Sequence, residues 1–189
     1  MLAQASATAL ITISLFMLPV SSPAQESMEL TALDYIEIQQ LVAKYARAID
    51  TCSNNGYDYA DLYTLDGVFQ PMVSGRSIPG VQGRERLAEV SGGGSNECRN
   101  VPWIEQGVRH IYSNHIITPT PDGATGTVDM MMIGLDSDPN KIAHDGYYED
   151  VYLKTENGWR FKQRTHYALL VAGQPAEPAA GAASSGGEP

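Results

Sequence analysis

The sequence is poor in basic residues, with 12 Lys and Arg against 22 Asp and Glu among 189 residues, and its formal net charge is -10. Without a basic cluster to displace counterions from phosphates, nucleic acid is excluded as a partner. The two cysteines are too few for a zinc site, and the four histidines show no metal-ligand spacing. The sequence also has no phosphate-binding glycine loop and no nucleophile elbow. These absences predict that any reaction proceeds without a metal or cofactor.

The two ends of the chain lack the pattern of a folded domain. Residues 1–24 carry no charge, and an apolar run within them is followed by the small residues Ser22-Pro23-Ala24. This form predicts a secretory signal, too short to span a bilayer comfortably, although its first residues include no Lys or Arg. The alternative is an extended, disordered N-terminus. We expect a periplasmic or secreted protein that has no membrane contact after signal removal.

The C-terminal residues 172–189 are almost wholly Ala, Gly, Pro, Ser and Glu. Because this stretch has no large apolar side chain to offset the entropy of ordering, it predicts a disordered tail. A single domain over residues 25–171 remains.

The two cysteines, Cys52 and Cys98, each lie in a polar, loop-like stretch. In an exported protein the simpler interpretation is a disulfide, which would hold the end of the first helix to the glycine-rich loop 92–94. Two free thiols are the alternative.

Hydrophobic spacing predicts two helices, a short strand and a third helix, followed by a series of long strands. A helix-capping sequence begins at Thr31, and apolar residues then recur at i, i+3, i+4, i+7 and i+11 until about Asp50. The predicted helices are 31–50, 57–64 and 83–90. The predicted strands are 68–69, 108–118, 124–135, 146–154 and 159–170. This order predicts an α+β domain, with three helices on one face of a strongly bent antiparallel sheet.

Several short motifs, in this order, resemble the SnoaL-like branch of the NTF2-like superfamily, which includes scytalone dehydratase, bile-acid dehydratase, ketosteroid isomerase and polyketide cyclases. The motifs are KYARAID at 44–50, LYTLDGVF at 62–69, GRERL at 83–87, RH at 109–110, SN at 113–114, GYYED at 146–150 and GWRF at 158–161. The resemblance implies a cone-shaped fold whose open end admits a small apolar ligand. It also implies a homo-oligomer, because sheets of this family often pair.

The resemblance implies three catalytic residues, namely Tyr45, Asp50 and His110. Family dehydratases place a Tyr and an Asp at the first two positions into the pocket, and a catalytic His at the third. Helix geometry opposes the first pair, since residues five apart lie about 140° apart around the axis unless the helix loosens. The structural alternatives are a core tyrosine, a solvated aspartate at a helix end and a structural histidine.

Strand geometry separates the two histidines of the predicted strand 108–118. His110, Tyr112 and Asn114 share one face of the strand 108–118, whereas His115 lies on the other face. The two histidines therefore share the pocket only if a bulge shifts the register. Imidazole poised near neutral pH serves as acid or base, and either His110 or Asp50 is the base of the predicted reaction.

Further residues are predicted to contact the substrate, each with a structural alternative. Asp150 orients a ligand or pairs with Arg160 or Arg164, and Asp129 lines the pocket or lies exposed at an edge. The aromatic residues in this group are explained equally well by core packing. The full predicted substrate-binding group is Phe69, Trp103, Tyr112, Asn114, Asp129, Tyr148 and Asp150.

Together these features predict a cofactor-independent lyase acting on a small hydroxylated cyclic or aromatic substrate, either as a dehydratase or as a related enzyme that cleaves a carbon–carbon bond. An isomerase in which Asp50 moves the proton and Tyr45 holds the enolate oxygen is the second hypothesis. The third is a non-catalytic module for ligand binding or dimerisation, because a fold alone does not determine a reaction.

Overall fold

The structure is a computed structural model that describes residues 27–171 except Ser74, Gln106, Asp136 and Ser137. The predicted signal segment and C-terminal tail lie outside the described residues. The α-helices are α1 (Ala32–Thr51), α2 (Tyr57–Ala60), α3 (Arg84–Val90) and α4 (Pro102–Glu105). The strands are β1 (Tyr63–Val73), β2 (Arg76–Ser77), β3 (Val81–Gln82), β4 (Arg109–Thr120), β5 (Gly123–Leu135), β6 (Asp138–Thr155) and β7 (Gly158–Val171).

The seven strands form one bent, unclosed sheet in the order β2-β1-β7-β6-β5-β4, with β3 also paired to β1. The α+β class is confirmed. The sheet is mixed, however, because β1 pairs with β7 in parallel while every other recorded pairing is antiparallel. The chain leaves β1 through the helices and the β4–β6 meander, and it returns beside β1 in the same direction.

The long helix α1 forms as predicted from its cap and its apolar stripe. The Thr31 hydroxyl accepts from the Asp34 backbone at 3.2 Å, and the Asp34 carboxylate accepts from the Thr31 backbone at 2.9 Å. Beyond the cap, the stripe of Ile38, Leu41, Val42 and Tyr45 is buried against the sheet. The helix ends at Cys52, which adopts a left-handed conformation with φ 49°.

The predicted disulfide between Cys52 and Cys98 is present and joins this helix end to the segment that follows the glycine-rich loop.

Element boundaries differ from the prediction where pairing partners decide them. The second helix ends at Ala60, and β1 begins at Tyr63 because it pairs there with Phe161 of β7. Pairing with β5 likewise extends β6 back to Asp138, and the short helix α4 was not predicted. No helix in the described part of the chain is long and apolar enough to cross a bilayer.

A bulge in β4 changes which side chains face the helices. Asn114 has φ 51°, and the pairing with β5 shifts register between Ser113 and Ile116. As a result His110 and His115 both face inward, although an uninterrupted strand would place them on opposite faces. Ile116, the residue after His115, is 64% exposed on the outer face.

Candidate functional site

A cavity of about 650 Å³ lies between α1 and the inner face of β4. Helix α1 lines it with Gln39, Val42, Ala43, Ala46, Arg47 and Asp50, strand β4 with residues 109–115, and β5 with Val128. A larger groove of about 790 Å³ runs from α1 to the β6–β7 turn, but its ionisable lining residues, such as Lys44, Asp58 and Asp61, are not buried. The smaller cavity is therefore the candidate site, because it contains buried acid–base groups.

Two of the predicted catalytic residues meet on the wall of this cavity. Asp50 projects from the last turn of α1, and its Oδ1 lies 2.6 Å from Nδ1 of His110 at the start of β4. The backbone N–H of His110 also donates to Oδ2 of Asp50 at 3.1 Å. Both residues are buried, with 4% and 9% of their surface exposed. The carboxylate thus contacts both the ring and the backbone of His110, and a neutral ring that donates from Nδ1 carries its lone pair on Nε2.

The third predicted catalytic residue, Tyr45, does not join this pair. Its side chain is fully buried, and its hydroxyl lies 3.3 Å from the Tyr59 hydroxyl, which lies 3.1 Å from that of Tyr63. Burial raises the pKa of the Tyr45 phenol well above 10. The helix does not loosen before Asp50, so the two residues face different surroundings, as the helical angle between them predicts.

The buried residue Arg164 was missed as a site residue. It lies on β7 with its guanidinium carbon 4.0 Å from the ring centre of Tyr45, 3.9 Å from that of Tyr148 and 4.6 Å from that of Phe161. Its Nε is 3.4 Å from Oδ1 of Asp150. Within the described residues, none of its three nitrogens makes a hydrogen bond.

Asp150 therefore lies beside Arg164, one of the two arginines with which the sequence predicted it to pair. The sequence indicated this pairing because Asp150 and Arg164 lie on consecutive predicted strands. A fully buried arginine is rare enough that sequence reasoning does not expect one.

His115 is a second residue of the site that was not among the predicted site residues. The β4 bulge turns it into the cavity, where its Nε2 lies 3.1 Å from the Tyr152 hydroxyl. Tyr152 donates to Oδ2 of Asp150 at 2.7 Å. Asn114 could have indicated the bulge in the sequence, because asparagine tolerates positive φ better than most residues.

The predicted substrate-binding residues divide into two groups. Tyr112 and Asn114 belong to the cavity lining, and the Tyr112 ring stacks 6.4 Å from that of His110. Asp129 instead lies exposed on the outer face of the sheet, where it accepts from the Asn114 amide at 2.8 Å. The expectation that Asp129 lines the pocket is not met.

The remaining aromatic predictions lie behind or beside the cavity. Tyr148 is buried between Tyr45 and Arg164, and Phe69 is half-buried against the core. The Trp103 indole donates to the backbone carbonyl of Ile49 at 3.2 Å and so anchors α4 to the end of α1. Tyr148 and Phe69 take the core-packing alternative, whereas Trp103 is half-buried and has a structural contact outside the core.

The charges of the cavity differ from those of the whole chain. Asp50 is the acidic residue of the described lining, whereas Arg47 and Arg109 lie exposed at its edge. The exposed residues of the lining thus include two positive charges in a protein whose net charge is -10, which favours a ligand with oxygen atoms of partial or full negative charge. Among the described residues, no group of three or more His, Cys, Asp and Glu side chains is arranged to hold a metal ion.

Comparison with known proteins gives one family and many related structures. The SnoaL-like domain family matches residues 30–165. No curated protein sequence matches the chain.

Three solved structures illustrate the shared fold. An NTF2-like protein with a cystatin-like fold from Novosphingobium aromaticivorans is 22% identical, with 76% of this chain and 86% of that chain covered and a TM-score of 0.60. A presumed scytalone dehydratase from the same species is 18% identical, with 78% and 94% covered and a TM-score of 0.56. ActVI-ORFA from Streptomyces coelicolor is 18% identical, with 73% and 98% covered and a TM-score of 0.55. At these identities the likeness shows the fold.

Proposed function

We propose that this chain, which belongs to the SnoaL-like domain family, is a cofactor-independent lyase acting on a small hydroxylated cyclic or aromatic compound. The observation that carries the proposal is the buried Asp50–His110 pair on the wall of the α1–β4 cavity. A buried imidazole held by a carboxylate on a cavity wall is suited to acid–base catalysis.

In the proposed reaction, Nε2 of His110 takes a proton from a substrate carbon or hydroxyl. The positive charge that develops on the ring is stabilised by the carboxylate of Asp50, 2.6 Å from Nδ1. Removal of a carbon-bound proton leads to loss of a neighbouring hydroxyl as water. Removal of a hydroxyl proton leads to cleavage of the adjacent carbon–carbon bond, so the same pair serves both lyase reactions.

The cavity supports the proposed substrate class. A volume of about 650 Å³ lies within the range of small-molecule sites. Val42, Tyr112 and Val128 provide apolar contact, while Arg47 and Arg109 in the lining favour carbonyl, phenolate or carboxylate oxygens. The relative named a presumed scytalone dehydratase agrees with a substrate of this kind.

The geometry favours the lyase over the other two hypotheses. An isomerase of the kind considered above needs Tyr45 in the cavity and an Asp50 free to move a proton, whereas Tyr45 contacts Tyr59 and Asp50 is held by His110. A non-catalytic binding module has no need for a buried imidazole held by a carboxylate at the ligand surface. That module is the outcome if ligands bind without turnover.

The test is a panel of hydroxylated aromatic and alicyclic compounds, assayed for product with wild type, His110→Ala and Asp50→Asn. We expect turnover by wild type and a loss of about 100-fold or more in kcat in each variant. His110→Ala retains the backbone bond to Asp50, so its circular dichroism should stay native. Asp66→Asn, which changes an exposed carboxylate paired with Lys162, is the matched control and should keep wild-type turnover. Unchanged kcat in His110→Ala would refute the proposal.

We also propose that the protein works outside the cytoplasm. The Cys52–Cys98 disulfide supports this location, because disulfides persist in oxidising compartments. The uncharged apolar segment in residues 1–24 has the form of an export signal.

A further inference from the structure

The cavity contains a second imidazole that the proposed reaction has not yet used. We propose that His115 is a second proton-transfer residue of this site, connected through the Tyr152 hydroxyl to the buried carboxyl of Asp150. This inference rests on the proposed lyase function, in which one group removes a proton and another must protonate the departing oxygen.

The backbone is shaped to bring His115 to the cavity. Asn114 adopts φ 51° within β4, and the register shift beside it turns residue 115 inward. On β5, Gly126 lies under the two rings: a Cβ there would come 3.0 Å from Cε2 of Tyr152 and 3.3 Å from Nε2 of His115. The bulge and the glycine together make room for an imidazole–phenol contact that an ordinary strand pair would not allow.

The polar groups behind His115 form a continuous series of polar contacts. Nε2 of His115 lies 3.1 Å from the Tyr152 hydroxyl, and this hydroxyl lies 2.7 Å from Oδ2 of Asp150. On the far side, Oδ1 of Asp150 lies 3.4 Å from Nε of Arg164. Tyr152, Asp150 and Arg164 are buried, whereas His115 is half-buried and lines the cavity. Protons therefore enter or leave this series of polar contacts at the imidazole of His115.

The surroundings shift the pKa values of His115 and Asp150 in opposite directions. Burial, together with the charge of Arg164, lowers the pKa of His115 to about 4, so the ring is neutral at pH 7. Burial raises the pKa of Asp150 to about 6, although Arg164 and the Tyr152 hydrogen bond act in the opposite direction. The titratable and charged groups around these two are Tyr63 on β1, Tyr112 on β4, Tyr152 on β6, Arg164 on β7 and, across the cavity, Arg47 and Asp50 on α1.

The protonation of Asp150 determines the tautomer of His115. A protonated Asp150 donates to Tyr152, whose hydroxyl then donates to Nε2, and the ring carries its proton on Nδ1. An ionised Asp150 accepts from Tyr152, so Nε2 must carry the proton and donate to the phenol oxygen. Only the first state offers a donor at Nδ1, which makes no hydrogen bond within the part of the chain described.

The elimination step then balances. His110 takes the proton from the substrate carbon, the carbon–oxygen bond breaks, and its electron pair leaves on oxygen. The departing oxygen takes the Nδ1 proton of His115 and becomes water, while Nε2 takes the Tyr152 proton and Tyr152 takes that of Asp150. The step ends with an ionised Asp150 beside Arg164 and without an imidazolium near that charge. Exchange with solvent then returns a proton from His110 to Asp150.

The first test needs no substrate and follows the histidine rings of the full chain by 15N NMR between pH 4.5 and 8. In wild type, we expect His115 to change from the Nδ1–H to the Nε2–H tautomer with a midpoint near pH 6. Tyr152→Phe should abolish that change because the relay lacks its middle hydroxyl. Tyr167→Phe removes a phenol that donates to Glu149 at 2.9 Å on the exposed side, and it should leave the change intact. One unchanging His115 tautomer in wild type would overturn the proposal.

The second test measures kcat against pH with a substrate from the compound panel. Tyr152→Phe and His115→Gln should each lower kcat about 100-fold, with little change in KM. We expect the kcat of wild type and of Tyr167→Phe to decline above about pH 6, and we expect the other two variants to lose that decline. His115→Gln changes a half-buried side chain and so provides a folded variant if the buried Tyr152 substitution unfolds the protein.

The two proposals fail differently. Full kcat in Tyr152→Phe and His115→Gln, with turnover lost in His110→Ala, would overturn the relay and leave the lyase function standing. Full kcat in all three variants would overturn the function itself.

Discussion

Three buried aspartates are held in three different ways. Asp34 accepts from Lys154 at 2.6 Å, from Thr31 and from the Trp159 indole at 3.0 Å, and these donors hold its pKa well below the ordinary 3.8. Asp150 has one phenol donor and a distant guanidinium, so burial dominates and its pKa rises. Asp50 receives both its donors from His110. The donors around a carboxylate therefore determine whether it stabilises the fold or takes part in proton transfer.

Replacing Asp34 tests the stabilising case. Asp34→Asn should lower the free energy of unfolding by about 1–3 kcal/mol at pH 7, because it weakens a helix cap and leaves the Trp159 donor poorly matched. The folded-state pKa of Asp34 is lowered, so its ionised form stabilises the fold above about pH 4 and this contribution is lost as the pH falls further. Urea unfolding at pH 7 and pH 3 measures both effects, with the exposed Asp122→Asn as control. A deficit that grows on acidification would contradict the assignment.

At the level of elements, the bulge in β4 has the greatest effect on the site. A strand with unbroken alternation would direct His115 to the outer face, and the cavity would hold one imidazole. Asn114, with φ 51°, is the single residue whose backbone turns His115 to the inner face. The same side chain ties the bulge to β5 through its 2.8 Å bond to Asp129.

Substitutions at position 114 separate backbone conformation from side-chain bonding. Asn114→Gly and Asn114→Val both lose the bond to Asp129, but only valine opposes a positive φ. We expect Asn114→Val to be about 1–2 kcal/mol less stable than Asn114→Gly, because a β-branched residue is strained there. Thermal unfolding measures stability, and the His115 NMR signals report whether the ring stays in the cavity. Equal stability of the two variants would show that the bulge does not require this conformation.

At the scale of the whole molecule, the disulfide connects two segments of the helical half of the fold, close to the site. Cys52 follows Asp50 by two residues, and Cys98 lies 46 residues further along the chain. The bridge therefore holds the end of α1, and with it the carboxylate that contacts His110. It stabilises the fold chiefly by limiting the conformations of the unfolded chain.

Removing the bridge should affect stability and activity together. The double variant Cys52→Ala with Cys98→Ala should lose about 4 kcal/mol of unfolding free energy, the value expected for a loop of this length. Urea unfolding of the oxidised and reduced wild type gives the same comparison without mutation. We expect kcat to fall as the end of α1 loosens. A reduced protein as stable as the oxidised one would show that the bridge does not constrain the fold.

Local patterns were sufficient for part of this protein. The capping residues and apolar stripe of α1 predict that helix, because both act within a few turns of one element. Strand alternation and turn residues predict the β4–β7 meander within a few residues, apart from the early start of β6. The Cys52–Cys98 bridge could also be predicted, since the chain contains only these two cysteines.

Contacts between residues far apart in sequence decided the rest. The parallel pairing of β1 with β7, the burial of Arg164 among aromatic rings and the turning away of Tyr45 from Asp50 each depend on partners that no local period specifies. The sequence by itself determined the class of the fold and two candidate residues, Asp50 and His110. The tertiary structure alone decided that a bulge brings His115 to the same cavity, because a one-residue shift in register exchanges the two faces of a strand.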